Sequence, residues 1–189
     1  MADGVVSALQ GRLAPCKSDM SGAAGVRISE IPPSTLIQFA AWPDALSQSG
    51  AEAARAAGLD TAPGPRRAAT GSNGTLLRVE PLKWWFVGDQ ASFSKPAAGI
   101  STVLDLSQSR TRMHLSGPQA TRLLNHVLPL DLSNAAFPEG SVASTAFHHV
   151  GVTLWRDAHD FSLFLPRSFA ASLCEILIET ARQYGLEIT

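Results

Sequence analysis

The stretch VGVTLWRDAHDFSLFLP, residues 150–166, decides the fold class. It contains two strand candidates, Val150–Trp155 and Phe161–Leu165, separated by a short polar turn at 156–160. Strands joined by so short a turn are antiparallel neighbours, whereas parallel strands need a longer crossover. Such hairpins, mixed with helices elsewhere in the chain, favour an α+β fold over a doubly wound parallel sheet.

Outward from this hairpin, alternating and apolar stretches predict further strands and three helices. The predicted strands are Val26–Ile31, Thr35–Ala41, Thr75–Val79, Trp84–Val87, Thr102–Leu106, Arg110–Leu115 and Ser141–Phe147. The predicted helices are Ala45–Ala57 with a stop at Gly58, a second that starts at Gly117-Pro118 and ends at Pro129, and a third over about 168–184. On the third helix, the predicted apolar side contains Phe169, Leu173, Ile176, Leu177 and Tyr184. The sequence therefore predicts one compact α+β domain of two lobes, 26–99 and 100–189, with residues 90–99 as the connection.

The first 25 residues are small and polar, and they predict a flexible N-terminal arm. The stretch Cys16–Gly22 has too little apolar content to fold alone, so the arm is either loose or packed on another chain. A basic start followed by an apolar run, which would mark a secretory signal, is absent from this sequence. We therefore expect a cytoplasmic protein.

Composition excludes several classes of protein. The chain has 189 residues, and its 15 Lys+Arg against 16 Asp+Glu lack the basic excess of a nucleic-acid-binding protein. No apolar run approaches the ~18 residues that a membrane span needs. The 45% of hydrophobic residues suffices for a core, so the two cysteines, Cys16 and Cys174, need not form a disulfide scaffold. These numbers indicate a globular protein with neither nucleic-acid nor membrane partners.

The sequence motifs identify no catalytic, cofactor-binding or metal-binding residue. Neither a Gly-rich phosphate loop nor a G-x-S-x-G nucleophile motif is present in the sequence. The adjacent His148 and His149 would point to opposite faces of a strand, and Cys174 has the apolar spacing of a small buried side chain. The carboxylates Asp105, Asp131, Asp157 and Asp160 are scattered along the chain. The pattern favours a subunit or binding module over a self-sufficient enzyme.

Two stretches are candidates for contact with other molecules. On a strand, Trp84 and Trp85 face opposite ways, so one ring is expected in the core and the other at a surface that either stays partly exposed or meets a partner. The exposed side of the strand Arg110–Leu115 is a second candidate for such a contact. The loop 60–74 contains Arg66-Arg67, which is either a solvated pair or an anion contact.

Four groups of motifs follow one another in the second half of the chain: Leu104–Ser107 with Arg110 and His114–Pro118, Leu128–Leu132 with Phe137–Gly140, Thr145 with Val150–Trp155, and Phe164–Ala170 with Tyr184-Gly185. From Asp105 onward this order of motifs resembles the gamma subunit of heterotetrameric sarcosine oxidase. In the first half, Leu77–Val79 and Lys83–Gly88 match more weakly. Two stretches depart from the family pattern, Gln108-Ser109 and His126-Val127, and they leave open whether the substrate is sarcosine or a related N-methyl amine.

This resemblance implies a fold similar to the folate-binding domain of aminomethyltransferases. The family's complex oxidatively demethylates sarcosine to glycine, with hydrogen peroxide as a product, and transfers the one-carbon unit to tetrahydrofolate or releases formaldehyde. FAD, FMN, NAD and tetrahydrofolate are then expected in the partner subunits, and none in this chain. The implied partners are the alpha, beta and delta subunits.

Three functional hypotheses follow from these expectations. The leading one is a non-catalytic gamma-like subunit that packs on the large subunits and helps to shape the complex. The second is a stand-alone folate-binding or aminomethyltransferase-like protein, and the third is a small-molecule sensor or adaptor. Binding of tetrahydrofolate by the isolated chain separates the second from the first.

Overall fold

The computed structural model describes residues 6–17, 24–89 and 99–189. Its elements, in chain order, are β1 (Cys16–Lys17), β2 (Val26–Ile31), β3 (Thr35–Ala41), α1 (Leu46–Ala57), β4 (Ala68–Thr70), β5 (Thr75–Glu80), β6 (Lys83–Gly88), β7 (Ser101–Asp105), β8 (Arg110–Ser116), α2 (Ala120–Val127), β9 (Val142–Phe147), β10 (Val150–Asp157), β11 (Asp160–Pro166), α3 (Ala170–Arg182) and β12 (Leu186–Ile188). Short 3₁₀ turns at Pro43–Ala45 and Arg167–Phe169 precede α1 and α3. The predicted α+β class is confirmed, and all but three of these strands match predicted ones.

The strands form two sheets. The seven-stranded sheet has the order β1-β12-β2-β8-β11-β10-β9, and the five-stranded sheet has the order β4-β5-β6-β3-β7. The hairpin predicted from 150–166 is present, because β10 and β11 pair antiparallel with Asp157 opposite Asp160. Strands β12 and β2 pair parallel.

The chain divides into two compact units, and their boundaries differ from the predicted lobes 26–99 and 100–189. Unit 1 comprises Met1–Pro33, Gln108–Glu139 and Ser144–Thr189, and unit 2 comprises Ser34–Ser107 and Gly140–Ala143. The first strand of each predicted lobe belongs to the other unit. Strand β2, from the predicted lobe 26–99, pairs with β8 in the seven-stranded sheet. Strand β7, from the predicted lobe 100–189, pairs with β3 in the five-stranded sheet. Pairing with strands distant in sequence decides this exchange, and the local pattern of a strand carries no information about its partner.

Unit 2 is built on one helix against one face of its sheet. Helix α1 is rich in alanine, and it packs against β3, β5 and β6. The small residues of α1 pack with larger side chains of the sheet in a buried cluster made of Ile37, Phe39, Ala53, Ala56, Ala57, Leu76, Trp84 and Phe86. The helix ends as predicted at Gly58, whose φ of 72° places it in the left-handed conformation that glycine adopts without strain.

In unit 1, α2 packs on β2 and α3, and α3 packs on β11 and β12. The buried side of α3 shares only Leu173 and Leu177 with the prediction: it consists of Ala170, Leu173, Cys174, Leu177 and Ala181. Phe169 and Ile176, predicted on the apolar side, are exposed. The reason is that Phe169 belongs to the 3₁₀ turn, so the helical stripe starts at Ala170 and rotates away from both side chains.

The N-terminal residues 6–17 differ from the predicted flexible arm 1–25. The side chain of Leu9 is buried, and the Ser7 hydroxyl donates to a Glu30 carboxylate oxygen at 2.7 Å. Strand β1 pairs antiparallel with β12, with Cys16 opposite Ile188. A single buried leucine and two backbone pairings thus order a segment of low apolar content. The rest of the predicted arm, 1–5 and 18–23, and most of the predicted connection at 90–99 lie outside the described residues.

Candidate functional site

Unit 2 exposes two large apolar side chains beside one edge of its sheet. Trp42 is 58% exposed and Leu104 is 51% exposed. Leu104 lies on β7, the last strand of the five-stranded sheet among the described residues, and the Trp42 backbone N–H donates to Ile100 just before that strand. We call Trp42, Leu104 and the outer edge of β7 the edge surface. An exposed sheet edge with apolar side chains is a typical template for contact with another chain.

Local sequence explains why both side chains are exposed. Trp42 has the extended conformation of β3, and Pro43 then starts a 3₁₀ turn that takes the chain into α1, leaving the indole outside. On β7, Val103 packs against the buried cluster under α1. The alternation of strand side chains then directs the neighbouring Leu104 to the other face. In the sequence, the exposure of Trp42 could have been predicted from its place between the end of a strand and a proline.

The prediction that Trp84 or Trp85 forms a surface is wrong. Trp84 is 1% exposed and Trp85 is 5% exposed, and the Trp85 indole N–H donates to the side-chain oxygen of Gln38 at 3.1 Å. The two rings do face opposite ways, as predicted for neighbours on a strand, but β6 lies between β5 and β3. Apolar residues on both faces of this strand are buried, so both rings are in the interior.

The strand Arg110–Leu115 is confirmed as β8, and it is an inner strand between β2 and β11. Its outward side chains are only half-buried. Arg112 donates through Nε and Nη2 to the Ser162 hydroxyl at 3.1 and 2.9 Å, and burial lowers its pKa, an effect that the Asp157 carboxylate opposes. Contact of this side with a partner stays a prediction.

The histidines lie in separate environments. His114 Nε2 lies 3.2 Å from the Asp160 carboxylate, and His126 Nδ1 lies 3.5 Å from the Tyr184 hydroxyl. His148 and His149 belong to the turn between β9 and β10 rather than to a strand. Within 6–17, 24–89 and 99–189, no three His, Cys, Asp or Glu side chains are grouped so that they would hold a metal ion. In the same residues, no helix has the length and apolarity needed to cross a bilayer.

The two cysteines differ in environment. Cys174 is buried in α3, and burial together with the Glu30 and Glu175 carboxylates raises the pKa of its thiol to about 11. This agrees with its interpretation as a small buried side chain, because a thiol with a raised pKa is a poor nucleophile at neutral pH. Cys16 is exposed on β1.

The paired arginines of loop 60–74 directly precede β4, a strand that was not predicted from the sequence. Arg66 and Arg67 are exposed, and Arg67 forms a β-bridge with Ser141. The loop also contains β4, which pairs with β5. An anion contact at this arginine pair stays a prediction.

The sequence is similar to those of curated sarcosine oxidase gamma subunits. Two curated relatives named sarcosine oxidase subunit gamma align over most of the chain: that of Arthrobacter sp. is 28% identical and covers 83% of this chain and 80% of the relative, and that of Corynebacterium sp. (strain U-96) is 26% identical with 89% and 85% coverage. The gamma subunit of Corynebacterium sp. (strain P-1) is 35% identical over 86 residues, which span 45% of this chain and 42% of that relative. No family model matches the sequence.

Solved structures show the same fold at low sequence identity. A chain of the heterotetrameric sarcosine oxidase from Corynebacterium sp. U-96, in complex with pyrrole 2-carboxylate, matches with a TM-score of 0.74 and 22% identity, covering 87% of this chain and 88% of that one. The glycine cleavage system aminomethyltransferase T from Bartonella henselae matches with a TM-score of 0.60 and 18% identity, covering 87% of this chain and 47% of that one. The resemblance read from the sequence is therefore confirmed: the curated relatives of this chain are sarcosine oxidase gamma subunits, and its fold is similar to that of aminomethyltransferases.

Proposed function

We propose that this chain is a non-catalytic gamma-like subunit of a heterotetrameric, flavin-dependent oxidase of sarcosine or another N-methyl amino acid. The observation that carries this proposal is the alignment with gamma subunits over 80% and 85% of their length. In the proposed complex the alpha, beta and delta subunits are the partners. They hold FAD, FMN, NAD and tetrahydrofolate, and they perform the oxidative demethylation and the one-carbon transfer in the cytoplasm.

The edge surface supports a role in assembly. Tryptophan is enriched at the energetic centre of protein interfaces, and Trp42 combines that residue type with large exposure. Among the described residues, Leu104 lies on the terminal strand of its sheet, and addition of a partner strand to a sheet edge is a common mode of recognition. Both features fit contact with a large subunit.

Co-expression with the large subunits tests the assembly role. We expect the chain to co-purify with them as one complex, and we expect the genes beside its own to encode a flavin-dependent large subunit. A stable monomer that ignores these subunits would contradict the proposal. The purified chain alone should neither demethylate sarcosine nor bind tetrahydrofolate in calorimetry, and binding would favour the stand-alone folate hypothesis instead.

A double variant tests the edge surface separately. Trp42→Ser with Leu104→Ser should weaken association with the large subunits about tenfold or more, because truncation of an interface tryptophan typically removes at least ~2 kcal/mol of binding free energy. Ile176→Ser changes another exposed apolar residue, in unit 1, and should leave association unchanged. If only Ile176→Ser lost association, the contact surface would lie on α3 rather than at the edge surface. The proposed role as a subunit would be unaffected.

A further inference from the structure

A cavity of about 730 Å³ lies in unit 1, between the start of β8, the end of β11, the start of α3 and the N-terminal residues around Ala8. We call it the arginine cavity. Its volume is within the ~300–1,000 Å³ range of small-molecule sites. The described residues that line it all belong to unit 1, so the cavity is a feature of this unit alone.

The lining of this cavity is positively charged. Arg110 and Arg167 supply two guanidinium groups, Ser109 and Ser168 are the other polar residues, and no carboxylate is present among the described residues of the lining. Both guanidinium groups stay protonated at neutral pH. Ala171 lies in the first turn of α3, where the helix dipole adds a partial positive charge. Cations that border one concave surface attract anions, because its low-dielectric walls focus their field.

Backbone contacts hold both arginines at the wall of the cavity. Arg110 lies opposite Pro166 in the β8–β11 pairing, and its Nη1 donates to the Ser109 carbonyl at 3.2 Å. The backbone N–H of Arg167 donates to the same carbonyl at 3.0 Å, and its guanidinium Nη2 donates to the Val6 carbonyl. The two guanidinium groups are therefore anchored on two different carbonyls. A guanidinium has five N–H donors, and the described anchor of Arg167 uses one of them.

Partial burial makes the charge of Arg110 costly. Desolvation lowers the pKa of its guanidinium. On the same side of β8, the Asp157 carboxylate opposes this effect at Arg112. The neighbouring His114 has the Asp160 carboxylate 3.2 Å away. The described lining of the arginine cavity contains no such carboxylate, and a bound anion would supply one.

The size of the cavity favours an organic anion over a small inorganic one. The remaining lining residues, Ala8, Pro166 and Ala171, are apolar. A single phosphate would leave most of the 730 Å³ unfilled and would forgo contact with these residues. The fork of a guanidinium binds a planar carboxylate through two parallel N–H bonds. Two arginines with separate anchors therefore match a ligand with two carboxylates.

We propose that the arginine cavity binds a small organic dicarboxylate. One carboxylate of the ligand accepts from Arg110 and the other from Arg167, and its carbon chain packs against Pro166 and the two alanines. The site lies in unit 1, whereas the edge surface lies in unit 2. It therefore goes beyond the subunit role and does not depend on it.

Titration of the full chain, labelled with ¹⁵N, with succinate, glutarate and adipate tests the proposal. These probes carry two carboxylates on carbon chains of increasing length. At least one probe should shift two arginine Nε–H signals to saturation, and the absence of one signal each in Arg110→Gln and Arg167→Gln identifies them. Butyrate has a single carboxylate and should bind about tenfold or more weakly, the loss that corresponds to one charged hydrogen bond.

Three outcomes of this titration would overturn the proposal. The first is that none of the three dicarboxylates shifts these signals. The second is that butyrate binds as tightly as the best dicarboxylate, because the second carboxylate would then make no contact. The third is that inorganic phosphate binds more tightly than every dicarboxylate, because the site would then recognise phosphate.

Arginines at the two ends of α3 supply matched variants. Arg167→Gln should weaken binding of the best dicarboxylate about tenfold or more, and Arg167→Lys, which keeps the charge without the fork, should weaken it less. Arg182→Gln changes an exposed arginine at the other end of α3, outside the lining, and should bind as the wild type does. Arg167 lies on a surface turn, so its variants decide the test even if Arg110→Gln does not fold. Unchanged binding in Arg167→Gln, or an equal loss in Arg182→Gln, would contradict the proposed site.

Discussion

Arg156 in unit 1 and Arg78 in unit 2 stack on aromatic rings in the same way, at 5.1 Å from Phe161 and 4.9 Å from Trp84. Their hydrogen bonds differ. Arg156 Nη1 donates to the carbonyls of Leu132 and Phe137 at 3.2 and 2.8 Å, and its Nη2 donates to the Asn134 side chain at 2.6 Å. Among the described residues, Arg78 makes one such bond, from Nη2 to the Pro81 carbonyl at 2.7 Å.

This difference separates an arginine that holds a long loop in place from one that binds a single turn. The three bonds of Arg156 tie the loop between α2 and β9 to the buried face of β10. Among the described residues, Arg78 binds only the turn between β5 and β6, through one exposed hydrogen bond. An arginine that satisfies several buried groups is expected to contribute more to stability than one with a single exposed bond.

Arg156→Leu should have the largest effect on stability. The leucine leaves two loop carbonyls and the Asn134 side chain without their donor, so we expect the free energy of unfolding to fall by about 3–5 kcal/mol. Urea denaturation followed by circular dichroism measures the loss. Arg122→Leu is the matched control: Arg122 is exposed and its carbon lies 5.6 Å from the Tyr184 ring, so its loss should cost less than about 1 kcal/mol. Equal losses in the two variants would contradict a structural role for Arg156.

Alkaline pH should destabilise unit 1 through Cys174. The folded chain raises the pKa of this thiol from 9.0 to about 11, so the folded state keeps the proton longer than the unfolded state does. The resulting stability is complete below about pH 9 and is lost as the pH rises towards 11, by up to ~2 kcal/mol. Urea midpoints of wild type and Cys174→Ala between pH 8 and 11 measure it. The wild type should lose more stability over this range than the variant, and parallel curves would rule out this contribution.

Arg78→Met should cost much less than Arg156→Leu. It removes one hydrogen bond and the stacking on Trp84, and it also removes a buried donor without an acceptor, so we expect a loss of about 1 kcal/mol. The same urea experiment measures it. A loss as large as that of Arg156→Leu would mean that Arg78 is a structural arginine too, and the contrast between the two units would fail.

Gly50→Ala should stabilise unit 2. The new methyl group lies at ordinary contact distance, 3.4 Å from Trp84 Cζ2, and alanine is preferred over glycine within a helix by ~0.5–1 kcal/mol. Thermal unfolding should show a higher midpoint for this variant. Destabilisation would indicate that the space between Gly50 and the Trp84 ring is too small for a methyl group.

Much of the local structure was predictable from the sequence. Strands β2 and β3 have the predicted bounds, and α1 ends at the predicted Gly58. The strands that were missed are β1, β4 and β12, with two, three and three residues. Two or three residues are too few to show the alternation of apolar and polar side chains that identifies a strand in a sequence. These three strands form because they pair with other strands: β4 with β5, β12 with β2, and β1 with β12.

The contact residues were harder to predict. Burial of Trp84 and Trp85 depends on strands on both sides of β6 and on cover over both faces of the sheet, whereas exposure of Trp42 depends on the direction in which the chain leaves β3. Leu104 lies on β7, which pairs with the strand that precedes Trp42, although the two strands are far apart in the chain. Nothing in the spacing of these residues brings them together.

The sequence alone determined the α+β class, most strand and helix bounds, and the resemblance to gamma subunits, because periodicity, turn residues and short motifs are local properties of the chain. Only the tertiary structure decided that β2 and β7 exchange between the two predicted lobes, which tryptophan is exposed, and which backbone carbonyls the stacked arginines bind. These features depend on contacts between residues far apart in the chain, and free energies of packing and pairing select such contacts only when the whole fold is formed.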